Sequence, residues 1–231
     1  MRAVLNMFWF ALLLWLPFAI MSRLMGVSMN SALMGSTDVA GEFKYMPGVF
    51  DEHWLPGFAD SIIRGCGKER EDDVRKFIAH FGVTVEWSSG CSGTDSPTWC
   101  MAALREVLDK RGVQFDPKHL YSAELPPRKR LFIEKQQHGP PMFLFPDVLD
   151  LSRPSATCTR TGKSTDPRKF RPRIFIVGFS CKGASGLNTK QVGSVFENPD
   201  GSTAITLSAT LCVLDEQSPD AFVAENVYSS F

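Results

Sequence analysis

From Glu69 onward the chain alternates between two hydrophobic periods. Val74, Phe77, Ile78 and Phe81 recur at helical spacing among charged residues and stop at Gly82, which predicts an amphipathic helix closed by glycine. Val83–Trp87 then alternates as a strand does and runs into the small-residue stretch Ser88-Ser89-Gly90-Cys91-Ser92-Gly93. Asp95 and Ser96 as caps, Pro97 in the first turn and Gly112 just past Arg111 delimit a second helix. The alternation continues with a strand over His119–Leu125, a helix over Pro126–Gln137 closed by Gly139, and an apolar strand over Met142–Phe145. Ile174–Val177 reads as a buried central strand, Ser202–Leu214 as a helix and Ala221–Ala224 as a last strand. Strands and helices in this order predict an α/β fold, a mostly parallel sheet with helices on both faces.

In such a sheet, ligands bind beyond the carboxyl ends of the strands. The polar residues that stand out lie there in sequence: Cys91, Ser92 and Gly93 after the first strand, Glu124 after the second, Asp147 after the third, Gly178 to Cys181 after the fourth, and Glu225 with Asn226 after the fifth. A glycine turn, three carboxylates and a thiol are thereby directed toward one crevice.

Composition changes the picture little and charge changes it more. Hydrophobic residues make up 44% and charged residues 22%, which excludes a disordered tail or a collagen-like fibre. The formal net charge is zero, yet residues 152–190 hold nine Lys or Arg against the single acid Asp166, and residues 191–231 hold six acids and no Lys or Arg. A locally basic segment is what a phosphate backbone attracts, although a solvated loop has the same composition. The six cysteines form no CxxC pair and read as free thiols. The four histidines are isolated, so no metal site is expected. Gly162-Lys163-Ser164 is no phosphate loop, because Thr157 stands where such a loop needs glycine. Trp87 and Trp99 offer rings for stacking on a base, with core packing the better reading.

The amino terminus stands apart. Residues 3–20 are almost wholly apolar and read as a targeting segment, a membrane anchor or a mis-assigned start. The expected organisation is therefore a hydrophobic segment over 1–22, a linker or extension over 23–68 and a catalytic domain over 69–231.

The ordered strand-end residues over about 84–228 resemble the cytosine-C5 DNA methyltransferase family. Phe175-Ile176-Val177-Gly178-Phe179-Ser180-Cys181 resembles the loop that bears its nucleophile, and Glu225-Asn226-Val227 matches its Glu-Asn-Val signature. The resemblance implies a Rossmann-like, S-adenosylmethionine-dependent methyltransferase fold and S-adenosyl-L-methionine as cofactor. Cys91, Ser92 and Gly93 would form the turn that holds the cofactor, with Gly178 beside it. Glu124 would bind the ribose hydroxyls and Asp147 the adenine amino group. Cys181 and Glu225 would be the catalytic pair, acting on DNA in the nucleus if the apolar amino terminus is an artefact. RNA as substrate, and an inactive methyltransferase-like protein, are the alternatives. Any membrane contact would come through residues 3–20, and the oligomeric state is open. Ser180 and Lys182 depart from the family's proline and glutamine around the nucleophile, and the later Arg-x-Arg clamp does not follow Glu225, so the domain reads as partial at its carboxyl end.

The chemistry agrees with those assignments. Cytosine C5 is too weak a nucleophile to accept a methyl group directly, so a thiolate must first add at C6. A carboxyl at N3 favours that addition by offsetting the charge that develops on the ring. A base inside a duplex must also be flipped out before either group can reach it.

Overall fold

A computed structural model describes residues 57, 60, 68–93, 95–136, 139–178 and 201–225. The apolar segment 1–22, nearly all of the extension 23–68, and Cys181, Asn226 and Val227 lie outside the described residues. No described helix is long and apolar enough to cross a membrane.

The chain runs as α1 (Lys68–Phe81), β1 (Thr84–Gly90), α2 (Ser96–Asp109), β2 (Asp116–Ala123), α3 (Pro127–Glu134), β3 (Phe143–Phe145), the hairpin strands β4 (Ala156–Thr157) and β5 (Ser164–Thr165), β6 (Ile174–Val177), α4 (Ser202–Gln217) and β7 (Ala221–Ala224). Single 3-10 turns lie at Val148–Ser152 and Pro167–Lys169. The main sheet has the order β3-β2-β1-β6-β7, and its neighbouring strands pair in parallel. This is the α/β Rossmann-like fold expected from the alternation. Chain order grows outward from β1 in one direction and then returns to its other side, so the switch point falls between β1 and β6. Loops leaving those two strands diverge and open a crevice at their carboxyl ends.

Two hydrophobic layers sandwich the sheet. Val85, Trp87 and Ile174 pack against Ile78 and Phe81 of α1 and Met101, Leu104, Val107 and Leu108 of α2. Tyr121, Ala123, Phe145, Phe175 and Val177 face the other way, onto Val148, Leu151, Cys158, and Ala209 and Val213 of α4. Both layers are explained by side chains alternating across each strand while the sheet is covered on both sides.

Several boundaries differ from those read off the sequence. Strand β1 extends through Ser88, Ser89 and Gly90, which look like loop by composition. They sit in the central strand, paired to β2 and β6 at once, where space is short. A Cβ on Gly90 would come within 3.0 Å of Phe175 Cζ. Helix α3 ends at Glu134, short of Gln137, while α4 continues past Leu214 to Gln217. Its extra turn is held by the tertiary contacts of the fully buried Gln217, which accepts from Tyr121 Oη at 2.6 Å and donates to Pro167 O at 3.1 Å.

The described part of the basic segment is more structured than a loop. Arg173 immediately precedes β6 and reaches Phe81 O, the Phe81 ring and Asp220, all at the amino-terminal edge of the strands. Arg168 pairs with Asp166 at 3.0 Å, and Lys169 approaches the same carboxylate. Arg160 donates to Pro141 O, and Arg153 to Asp150 at 2.6 Å. Arg173, one of the nine basic residues of segment 152–190, therefore lies at the edge opposite the crevice, while Lys182 and Lys190 lie outside the described residues. Parallel strands put the residues just before a strand on the opposite edge from those just after it.

Candidate active site at the strand ends

The turn after β1 is built by backbone geometry that few side chains tolerate. Cys91 and Gly93 have φ of 51° and 62°, and Asp95 has φ of 56°. Left-handed backbone suits glycine at 93 and is strained for Cys91 and Asp95, so tertiary bonds must hold it. Ser92 N–H donates to Ala123 O at 3.2 Å and its hydroxyl to the same oxygen at 3.3 Å. These bonds clamp the turn to the end of β2.

Glu124, the next residue, is almost fully buried. Its Oε2 accepts from Gly93 N–H at 2.5 Å, and Oε1 lies 3.6 Å from Lys129 Nζ. Burial pushes its carboxyl above the ordinary range, opposed by Lys129 and by the Gly93 hydrogen bond. Asp147 follows β3 and accepts from Leu149 N–H at 3.0 Å through Oδ1, capping the 3-10 turn. Glu225 follows β7, tied by its N–H to Val177 O at 2.8 Å. Burial raises its carboxyl pKa as well. Gly178 lies between β6 and Glu225, and a Cβ there would come to 3.2 Å from Glu225 Oε2 and 3.9 Å from Cys91 O. A side chain at 178 would displace the Glu225 carboxyl by a few tenths of an ångström.

Cys91 is where these groups meet. Its thiol is pushed up to about 12 by burial first, then by the charges of Glu124 and Asp147, with Lys129 acting the other way. A thiol so shifted stays protonated at neutral pH and is no nucleophile. The structure thus brings together Cys91, Ser92, Gly93, Glu124, Asp147, Gly178 and Glu225, while Cys181 lies outside the described residues. Among the described residues, no group of three or more His, Cys, Asp or Glu side chains could hold a metal ion.

The arrangement suits a nucleoside-containing cofactor. A Cβ at Gly93 would meet nothing within 4 Å, so the turn faces open space. Leu125, 65% exposed beside Glu124, adds an apolar surface of the kind on which a flat base rests. Glu124 offers a carboxylate for vicinal hydroxyls.

Sequence reading missed two sets of residues. Arg130 Nη1 donates to Glu124 O at 2.9 Å, to Leu125 O and to Pro146 O, tying together the ends of β2 and β3 that carry the two carboxylates. A run of basic residues at the start of a helix, where they oppose the helix dipole, was the available signal. The second set is a buried polar cluster beneath the turn: Ser89, Asp95, Thr98, His119 and Ser122. His119 Nδ1 lies 3.3 Å from Thr98 Oγ1 and 3.5 Å from Asp95 Oδ2, while Nε2 lies 3.0 Å from Ser122 Oγ and 3.2 Å from Tyr121 O. Trp87 covers its ring, stacked at 3.8 Å.

Burial lowers the His119 pKa, as does Arg160, outweighing Asp95 and the carbonyls of Gly139 and Tyr121. The folded chain thus refuses a proton that the unfolded chain takes up below about pH 6.5. Stability from this residue is fully present above that pH and is lost as pH falls through it. Glu124 and Glu225, whose values are raised, work in the opposite direction, because the folded chain holds their protons more tightly. Urea melts at pH 7.5 and 5.5 should show a smaller acid loss for His119→Gln than for the parent; equal losses would contradict the assignment.

Comparison with known proteins finds a partial similarity. The chain is 30% identical over 148 residues, 63% of its length, to the DNA (cytosine-5-)-methyltransferase DMT5 of Cryptococcus neoformans var. grubii. The match spans 6% of that much longer protein. No family model matches the chain.

Proposed function

We propose that this chain carries the cofactor-binding and base-addition half of a cytosine-C5 methyltransferase site, acting on DNA. The observation that carries the reading is the meeting of the Cys91–Gly93 turn, Glu124, Asp147, Gly178 and Glu225 at the switch point of a Rossmann-like sheet. Support also comes from the similarity of 148 residues to a DNA (cytosine-5-)-methyltransferase.

Glu124 would accept hydrogen bonds from the ribose hydroxyls of S-adenosylmethionine, exchanging the Lys129 contact for them. Asp147 would accept from the adenine amino group, while Leu125 supports the ring. When bound, this cofactor supplies an electrophilic methyl group. Cys181 would add through sulfur to C6 of the flipped cytosine. Glu225 would hold a proton at N3, a role favoured by the upward shift that burial gives its carboxyl.

Charge-assisted hydrogen bonds contribute about 1.5–3 kcal/mol each. Glu124→Ala is therefore expected to weaken S-adenosylmethionine binding about tenfold or more. Because burial disfavours the ionised carboxyl, Glu124→Gln should leave the cofactor-free protein at least as stable as the parent. Calorimetric titration together with thermal melts checks both expectations. Parental affinity in Glu124→Ala would remove the residue from the site.

A further inference from the structure

We propose that Asp95 is a positioning residue for the cofactor-binding turn, its buried carboxylate fixing Ser92 and, through it, Gly93 and Glu124. The inference rests on the cofactor reading above and concerns a residue that reading leaves without a role.

Asp95 is completely buried and held at φ 56°, a backbone state that a non-glycine residue adopts at a cost. Its place at the start of α2 suggests a helix cap, yet its side chain makes no capping bond to the helix backbone. Three hydroxyls surround it instead. Ser89 donates to Oδ1 at 2.8 Å and Thr98 to Oδ2 at 2.9 Å, while Ser122 Oγ lies 3.1 Å from Oδ2 and 2.7 Å from Ser89 Oγ. These hydroxyls come from β1, α2 and β2, so one carboxylate joins the three elements from which the turn departs. His119 closes the cluster from below.

The path from there to the site is continuous. With the Ser89 proton given to Asp95, the Ser92 hydroxyl bridges Ser89 Oγ at 2.9 Å and Ala123 O at 3.3 Å, and Ser92 N–H also donates to Ala123 O. Ala123 precedes Glu124, whose Oε2 receives Gly93 N–H at 2.5 Å. Every bond joins a buried or half-buried group to the next, with low local dielectric strengthening each. A carboxylate suits the origin, because both of its oxygens accept and neither turns a donor toward the surrounding hydroxyls. An amide there would turn an NH2 group toward one of them.

A residue that only held the fold together would change stability and leave the affinity of the folded protein alone. The test separates these. The 231-residue chain and its Asp95→Asn, Ser89→Ala, Ser92→Ala and Asp95→Asn/Ser92→Ala variants are titrated calorimetrically with S-adenosylhomocysteine at pH 7.5 and low temperature, with circular dichroism reporting folding. Asp95→Asn is expected to weaken binding about tenfold, Ser89→Ala and Ser92→Ala by several-fold. The double variant should be no worse than Asp95→Asn, since both changes act on one path. Folded Asp95→Asn with parental affinity, or fully additive penalties, overturns the proposal. If Asp95→Asn does not fold, Ser89→Ala decides, because it breaks the same path elsewhere and parental affinity there overturns the proposal equally. A parent that takes up no S-adenosylhomocysteine overturns the cofactor reading and this inference together. Binding by the parent with unaffected Asp95 and Ser89 variants overturns the inference alone.

Discussion

DNA containing 5-fluorocytosine is expected to become covalently joined to this chain through Cys181, in the context of a complete catalytic domain and in the presence of S-adenosylmethionine. On the proposed mechanism sulfur would add at C6, the electron pair would move to C5, and C5 would take the methyl group. With hydrogen at C5, a base would then remove that proton, the C–H bond electrons would re-form the double bond and the thiolate would depart. Fluorine cannot leave as a cation, so the carbon–sulfur bond persists. Cys181→Ser should abolish the adduct, because a serine hydroxyl is a far weaker nucleophile at neutral pH. Of the other described thiols, Cys91 and Cys100 are held protonated, Cys158 is enclosed although burial, which raises its pKa, is outweighed by hydrogen bonds that lower it, and Cys212 is exposed. Burial pushes Cys100 to about 11 and, with neighbouring charges, Cys91 to about 12. Cys158 is fully enclosed, its sulfur accepting from Leu144 N–H at 3.4 Å. Mass spectrometry of the tryptic adduct reads the site. An adduct on another cysteine would sink the assignment, and none from a folded, cofactor-bound domain would favour an inactive relative. Running the same probe in RNA distinguishes the two substrates.

Trp87→Ala is expected to cost about 3–5 kcal/mol of stability, the range for removing a large aromatic ring from a packed core. Trp87 is 1% exposed, packs among the residues shared by β1, α1 and α2, and covers the His119 ring. A cavity there would leave the His119 edge of the Asp95 cluster without its lid. Against a typical total of about 5–15 kcal/mol, the loss takes a large share of what holds the domain together. Urea denaturation with unchanged m-value checks it. Enclosed by the core and stacked on His119, the Trp87 ring packs as the sequence reading preferred, with no open face for an adenine.

How far the chain could be read without coordinates depended on the range of each interaction. Elements with a strong local period were legible. Ile174–Val177 and Ala221–Ala224 form strands with the bounds expected, and the helices near Glu69 and Ser96 start within a residue or two of their caps. The strand-end carboxylates Glu124, Asp147 and Glu225 were legible for a related reason. In a parallel sheet, position along the chain decides which edge a residue occupies, so strand order alone put them on one side.

What was not legible depended on partners distant in sequence. Ser88, Ser89 and Gly90 carry a loop composition and became central strand because β2 and β6 flank them. Charge along the chain did not say where Arg173 would lie, and its place just before β6 put it beside Asp220 on the edge opposite the crevice. His119 looked isolated, its partners in space being Thr98 and Asp95 at the start of α2, Trp87 of β1 and Ser122 of its own strand. By itself the sequence determined the period of each element, the order of the strands and the chemistry delivered to their ends. Only the tertiary structure decided which polar groups are buried together. Hydrophobic period is a property of neighbours along the chain, whereas a buried hydroxyl or carboxylate must find its partner wherever the fold brings one within about 3 Å.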